Sequence, residues 1–153
     1  MAITNARLIN QRQLEQAIVD AFKEWATEDI NEAHWDDQFL DSSKWQWDQE
    51  TRRRNGETVF SPRDIYDLGA LYESGINSFS VSDTSKGAEA YWHWNAKNDN
   101  GDEYAYYVHY GTRFMDGRPF TDDISIPSSF WRKAPGKALK LRMQQHLTKL
   151  NAS

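Results

Sequence analysis

The sequence predicts an α+β fold, with an antiparallel sheet of two hairpins packed against a long N-terminal and a long C-terminal helix. Three observations predict it. An apolar stripe recurs at helical spacing over residues 8–29, a second one recurs over 137–150, and two segments between them alternate at period two around turn sequences. At 153 residues the chain reads as one domain, long enough to bury about two-thirds of its unfolded surface.

The first helix rests on Leu14, Ala17, Ile18, Ala21, Phe22 and Trp25, which fall on one face, while Arg12, Glu15, Asp20, Lys23 and Glu24 fall off it. Residues 31–43 are polar and acidic, with Trp35, Phe39 and Leu40 as apolar pins, and read as a loop with a short helical turn. Residues 44–60 read as a hairpin. Trp45 and Trp47 share one strand face there, and Asn55-Gly56 is the strongest short hairpin turn in the chain. Ser61-Pro62-Arg63-Asp64 carries a helix-start pattern, a Ser cap followed by Pro, so a helix is expected over 62–74 with Gly75 ending it.

A second hairpin is expected over 76–96, turning at 83–87. Along its return strand Trp92 and Trp94 share one side, and Tyr91 and His93 the other. Residues 102–110 read as a short helix with Asp102 as N-cap, Gly111 as C-cap, and Tyr104, Ala105 and Val108 on one face. A loop over 111–127 follows, in which Asp116-Gly117 marks a turn and Pro119 holds Arg118 extended. Ser128 or Ser129 is placed to cap a turn around Phe130 and Trp131. The last helix, 137–150, presents Leu139, Met143, Leu147 and Leu150. Packing of both helices on the sheet would bury Ile18, Phe22, Trp25, Leu139, Met143 and Leu147.

Composition narrows the function. A net charge of −5 argues against a protein that coats nucleic acid, whose footprint should be basic. The charge is uneven: between residues 20 and 50 only Lys23 and Lys44 oppose a run of carboxylates, whereas beyond Asp123 every charged residue is basic. This reads as two solvated helix faces of opposite bias, or as complementarity within a protomer or between neighbours, or as a basic tail touching DNA. The absence of cysteine removes disulfides and thiolate chemistry and fits an intracellular origin. No apolar run is long enough to span a membrane, and the N-terminus lacks a secretion-signal pattern.

Catalysis finds no foothold. His34 with Asp36 and Asp37, His93 and His109 are the available ligands, but no pair has the spacing that places two on one helical face. There is no nucleophile elbow and no glycine-rich phosphate cradle. The expectation is therefore a protein that is not an enzyme, with no catalytic residue, metal or cofactor. An aromatic-rich carbohydrate-binding module is the alternative, given seven tryptophans and seven tyrosines, although the paired tryptophans on strand faces are what a core or a subunit seam produces.

Residues 104–120, YAYYVHYGTRFMDGRPF, carry a more specific signal. Tyr104-Ala105, Val108, Tyr110-Gly111-Thr112, Met115 and Arg118-Pro119-Phe120 together resemble the tail-completion or head–tail joining (neck) proteins of long-tailed double-stranded DNA bacteriophages. Upstream, Asp67-Leu68-Gly69-Ala70-Leu71 with Ser74 is similar to a second segment of that family, with Leu68 where the family has Thr. The resemblance implies a structural virion protein assembled in the host cytoplasm into a ring, commonly a hexamer. Such a ring lies between the head-side connector or stopper proteins and the tail tube or sheath, and genomic DNA passes through its lumen without sequence recognition. On this reading Arg113, Phe114, Met115, Arg118, Pro119, Phe120, Trp92 and Trp94 are candidates for contacts with neighbouring protomers. Arg52, Arg53 and Arg54 are candidates for a basic tip facing the lumen or DNA, or for a solvated loop.

Overall fold

The computed structural model of the chain describes residues 10–46, 49–67, 69–113 and 115–152, and of Met115 only the main chain. The fold is α+β, and helix dominates it. The N-terminal helix is longer than its 3.6-residue periodicity suggests. It runs as α1 (Gln11–Glu24), then a π-helical stretch (Trp25–His34), then α2 (Trp35–Leu40), with Asn10 accepting from the Gln13 N–H as N-cap. The expected loop over 31–43 is thus helical as far as Leu40. The reason lies in the period: Trp25, Ile30, Trp35 and Phe39 are all buried at four- and five-residue spacing, which suits the wider π turn and not the α turn.

The buried face of α1 is also narrower than its apolar stripe. Ala17 and Ala21 are buried, but Ile18, expected in the core, is 41% exposed, and Leu14 is 37% exposed. Against the small-residue face runs α7 (Ala134–Ala152), antiparallel to α1. It starts three residues earlier than expected, because Pro135 is tolerated in a first helical turn. Gly136 is needed there, since a Cβ would lie 2.1 Å from the Phe130 carbonyl oxygen. Trp25 Nε1 donates to the Pro135 carbonyl at 2.8 Å and fixes the helix pair at its buried end.

The charge asymmetry is consumed at this same interface. Arg142 of α7 meets Glu28 at 2.7 Å, Asp29 at 2.9 Å and Glu24 at 3.5 Å, and His146 meets Glu24 at 2.6 Å. Complementarity within the protomer therefore accounts for part of the pattern.

The hairpins do not merge into one sheet. β1 (Thr51–Arg52) pairs with β2 (Thr58–Val59), β3 (Ser80–Thr84) with β4 (Gly87–Tyr91), and β5 (Gly111–Thr112) with β6 (Met115–Asp116), each antiparallel and separate. The first ladder is far shorter than the expected 44–60 hairpin, and Trp45 instead exchanges both main-chain hydrogen bonds with Arg63. That exchange also corrects the helix expected over 62–74. The backbone at Arg63 and Ile65 is bonded to Trp45 and Phe39, and Gly69 sits at φ 85°, so α3 (Ala70–Ser78) begins only after it. Gly75, expected to end that helix, lies inside it, directly beneath the Trp94 ring.

The β3–β4 hairpin turns at Ser85-Lys86, inside the expected 83–87 span, and leans on α1 through a 3.1 Å Lys23–Asp83 pair. The short helix α4 (Ala105–Tyr110) lacks the Asp102 cap but does end at Gly111 with φ 82°. The loop expected over 111–127 instead contains β5, β6 and α5 (Asp122–Ser125), and α6 (Pro127–Phe130) begins at its last residue.

The core is aromatic. Trp94 stacks on Phe39 with centroids 5.3 Å apart and meets Trp35 at 4.8 Å and Phe120 at 5.1 Å edge-on. Each such pair adds about 0.5–1.5 kcal/mol beyond area burial.

Candidate functional site

Three stretches distinguished by their sequence converge on one cavity of about 370 Å³. The basic β1–β2 turn supplies Arg52, Arg53 and Arg54. The segment before and within the start of α3 supplies Asp67, Gly69, Ala70 and Leu71. From residues 104–120 come Tyr104 and Val108 of the α4 region and Arg118 beyond β6. Tyr66 and Tyr72 complete an aromatic wall with Tyr104, and Lys97 and Arg63 add further cations.

Local chemistry explains how these groups are held. Asp67 accepts the main-chain N–H groups of Arg54 and Asn55, both at 3.2 Å, and so ties the basic turn to the foot of α3. Arg53 donates to the Asp64 carboxylate at 2.7 Å and to its carbonyl at 2.9 Å. Arg54 reaches Asp99 at 2.7 Å. Arg63 is buried and donates to the carbonyls of Gln49 at 2.5 Å, Val59 at 3.1 Å and Phe60 at 3.2 Å. Arg118 is anchored through its main chain, its N–H donating to the Val108 carbonyl at 2.8 Å. Gly117 permits that approach, because a Cβ would lie 2.7 Å from the Tyr110 carbonyl group.

The electrostatics are those of crowded cations. Burial, and then the neighbouring Arg63 and Arg53 guanidiniums, pull Arg118 down to about 10. Burial and Arg53 likewise lower Arg63. Burial raises the Tyr104 phenol, and Tyr72 is pushed up to about 12 by its hydrogen bond to Asp36.

A second feature lies on the outer face of α4. Tyr106 and Tyr110 are each 66% exposed and Tyr107 is 51% exposed, with the Tyr106 ring 4.7 Å from Tyr110 and 5.8 Å from Tyr107. On the inner face His109 Nε2 meets Thr121 Oγ1 at 2.9 Å and Asp122 at 3.1 Å, and its ring packs on Phe120.

The candidate contact residues separate accordingly. Arg113 and Pro119 are exposed, beside the tyrosine platform in sequence. Phe114 and the Met115 side chain lie outside the described residues. Phe120 is 2% exposed and belongs to the chain's own core, which corrects its assignment as an anchor for a neighbour. Trp92 and Trp94 also turn inward, Trp92 stacking on Phe79 and bonding Asn31, so a subunit seam is not their use within this protomer. In the basic turn Arg53 is held by Asp64, which corrects its reading as a DNA-facing tip; Arg52 and Arg54 remain exposed.

Sequence reasoning missed Arg63, Tyr66 and Lys97 as wall residues. Only the burial of Arg63 would have flagged the place, and burial is not visible in spacing. Among the described residues no cluster of histidines and carboxylates could hold a metal ion, and no helix is long and apolar enough to cross a membrane. No protein-family model matches the chain, and neither a characterised protein nor a solved structure is similar enough to it to establish kinship.

Proposed function

We propose that the chain is a structural subunit of a tailed bacteriophage, forming a ring at the head–tail interface through which DNA passes. The observation that carries this reading is the exposed tyrosine platform of α4. Three large rings side by side on one short helix are costly in water and belong to the residue type enriched at the energetic centres of protein interfaces. The platform lies within the stretch that resembles neck and tail-completion proteins, and the other resembling segment folds against that stretch around a shared cavity. A head-to-tail ring needs two different surfaces per copy. The platform, with Arg113 in the adjoining turn, would be one. Leu14 and Ile18, left exposed on α1, would contribute to the other.

Tryptophan content no longer favours sugar binding. Of the tryptophans described, Trp25 and Trp35 are buried, Trp45, Trp92 and Trp94 are half-buried, and Trp131 alone is exposed. The test is replacement of Tyr106 and Tyr110 by serine. Particles should then fail to join heads to tails, while the isolated chain keeps its unfolding temperature. Normal particles carrying the double variant would refute the platform as a subunit contact.

A further inference from the structure

We infer that a lysine stripe along the start of α7 is a contact surface for a second copy of this chain, seating on the acidic outer face of that copy's π-helical stretch and α2. The inference rests on the reading of the chain as one of several assembling copies, and adds a contact separate from the tyrosine platform. Lys133, Lys137 and Lys140 recur at i, i+4 and i+7, and the Lys137 N–H donates to the Lys133 carbonyl at 3.1 Å, so all three share one side of α7. Their side chains are exposed, and among the described residues none of them has a hydrogen bond or a carboxylate partner. Arg142, on the inner side of the same helix, takes up Glu24, Glu28 and Asp29. Like charges one turn apart repel, and cations at the start of a helix oppose its macrodipole. The free chain therefore carries an unfavourable arrangement, which an acidic surface from outside would relieve.

The chain itself carries the complementary stripe. Glu28, Glu32 and Asp37 recur at spacings of four and five, the same period that buries Trp25, Ile30, Trp35 and Phe39, and all three are exposed on the outward face. Asp41 follows just past the end of α2. Glu28 already binds Arg142 at 2.7 Å, so these helices use the same chemistry once within the protomer. Glu32 has no partner among the described residues, Asp37 reaches Lys44 only at 3.7 Å, and Asp41 accepts from Ser43. Each stripe covers about two turns, roughly 10 Å for the three lysines at about 1.5 Å per residue. Each also carries an exposed leucine: Leu141 beside Lys137 and Lys140, and Leu40 beside Asp37 and Asp41. A leucine gains nothing against a phosphate backbone but is buried against a protein face. A second copy therefore fits the lysine stripe better than nucleic acid does, and the net charge of −5 favours it too.

The test is sedimentation velocity of the full chain over a salt series, with two charge-reversed variants. One is Lys133→Glu with Lys137→Glu and Lys140→Glu; the other is Glu32→Lys with Asp37→Lys. The wild type should self-associate at low salt and dissociate as salt rises. Each variant alone should associate at least tenfold more weakly, with its unfolding temperature as a dilute monomer not lowered. An equimolar mixture of the two should regain association, because every reversed stripe then meets a reversed partner. Association that ignores salt and both reversals, or a mixture that fails to recover, would overturn the inference while leaving the ring reading to the Tyr106 and Tyr110 test on particles. A wild-type chain that stays monomeric at low salt but binds a labelled DNA duplex, with binding lost only in the lysine variant, would also overturn it and make the stripe a nucleic-acid contact.

Discussion

Gly75→Ala should destabilise this protein, although the same change in an ordinary helix interior stabilises by about 0.5–1 kcal/mol. Gly75 lies in the middle of α3, and an added Cβ would stand 2.0 Å from Trp94 Cζ3, 2.2 Å from Cη2 and 2.4 Å from Cε3. Carbon contacts settle at about 3.5–4.0 Å, so the indole would have to retreat by roughly 1.5 Å. It has no room to do so. Phe39 stacks against it at 5.3 Å, with Trp35 at 4.8 Å and Phe120 at 5.1 Å around it. Overpacking of such a site costs about 1–3 kcal/mol. Three contacts this short place the cost in the upper part of that range, about 2–3 kcal/mol, so after the helix gain the net loss is about 1–2.5 kcal/mol, or a fall in unfolding temperature of about 2–10 °C for a chain of this size. Urea unfolding followed by tryptophan fluorescence measures it. Trp94→Leu in the Gly75→Ala background should recover part of the loss, with a coupling above about 0.5 kcal/mol. An unfolding temperature at or above that of the wild type for Gly75→Ala alone would refute the seating of Trp94 on the α3 backbone.

Other expectations follow from the same packing. Phe120→Ala should cost about 3–5 kcal/mol in urea unfolding, as for a buried aromatic; a loss under about 1 kcal/mol would mean that the ring is not in the core. Arg142→Met leaves Glu24, Glu28 and Asp29 facing one another without their shared cation, and should lower stability by about 1 kcal/mol at low salt and less as salt rises. Burial holds the His34 imidazole below its ordinary value, so the unfolded chain takes up its proton first as pH falls. Stability should therefore decline from about pH 6.5 downward until the folded value is reached, and His34→Phe should flatten that decline. Glu24 is held below the usual carboxylate range, first by its hydrogen bond to His146; its contribution is present above the ordinary glutamate value and is lost as pH falls through the depressed one. Glu24→Gln should remove that second, more acidic step from a pH–unfolding profile.

The α+β class was legible because three periodicities are strong enough to survive tertiary context. So were the turn at Asn55-Gly56, the common side of Trp92 and Trp94, and the half-buried face of α4, each set by local spacing; that the two tryptophans turn inward and not toward a neighbour was not. The failures have physical causes. Trp25, Ile30, Trp35 and Phe39 follow the π-helical period, so a search for 3.6-residue spacing sees a loop after Asp29. The Ser61-Pro62 helix start is overridden by main-chain bonds from Arg63 to Trp45, a non-local partner that no local pattern reveals. Gly75 reads as a helix stop, yet it is there to admit the indole of Trp94, which lies beyond the end of β4. The cavity was legible only in pieces: its basic turn, its foot at Asp67 and its Arg118 each stood out, but their meeting depends on how the separate hairpins fold over α3.

The central claim is that this chain works as one of several copies at the junction of a phage particle. Immunogold labelling against it, on virus particles recovered from cells that express its gene, tests that directly. Gold confined to the point where head meets tail is the expected result. Unlabelled virions, with all of the protein left free in the lysate, would contradict the account.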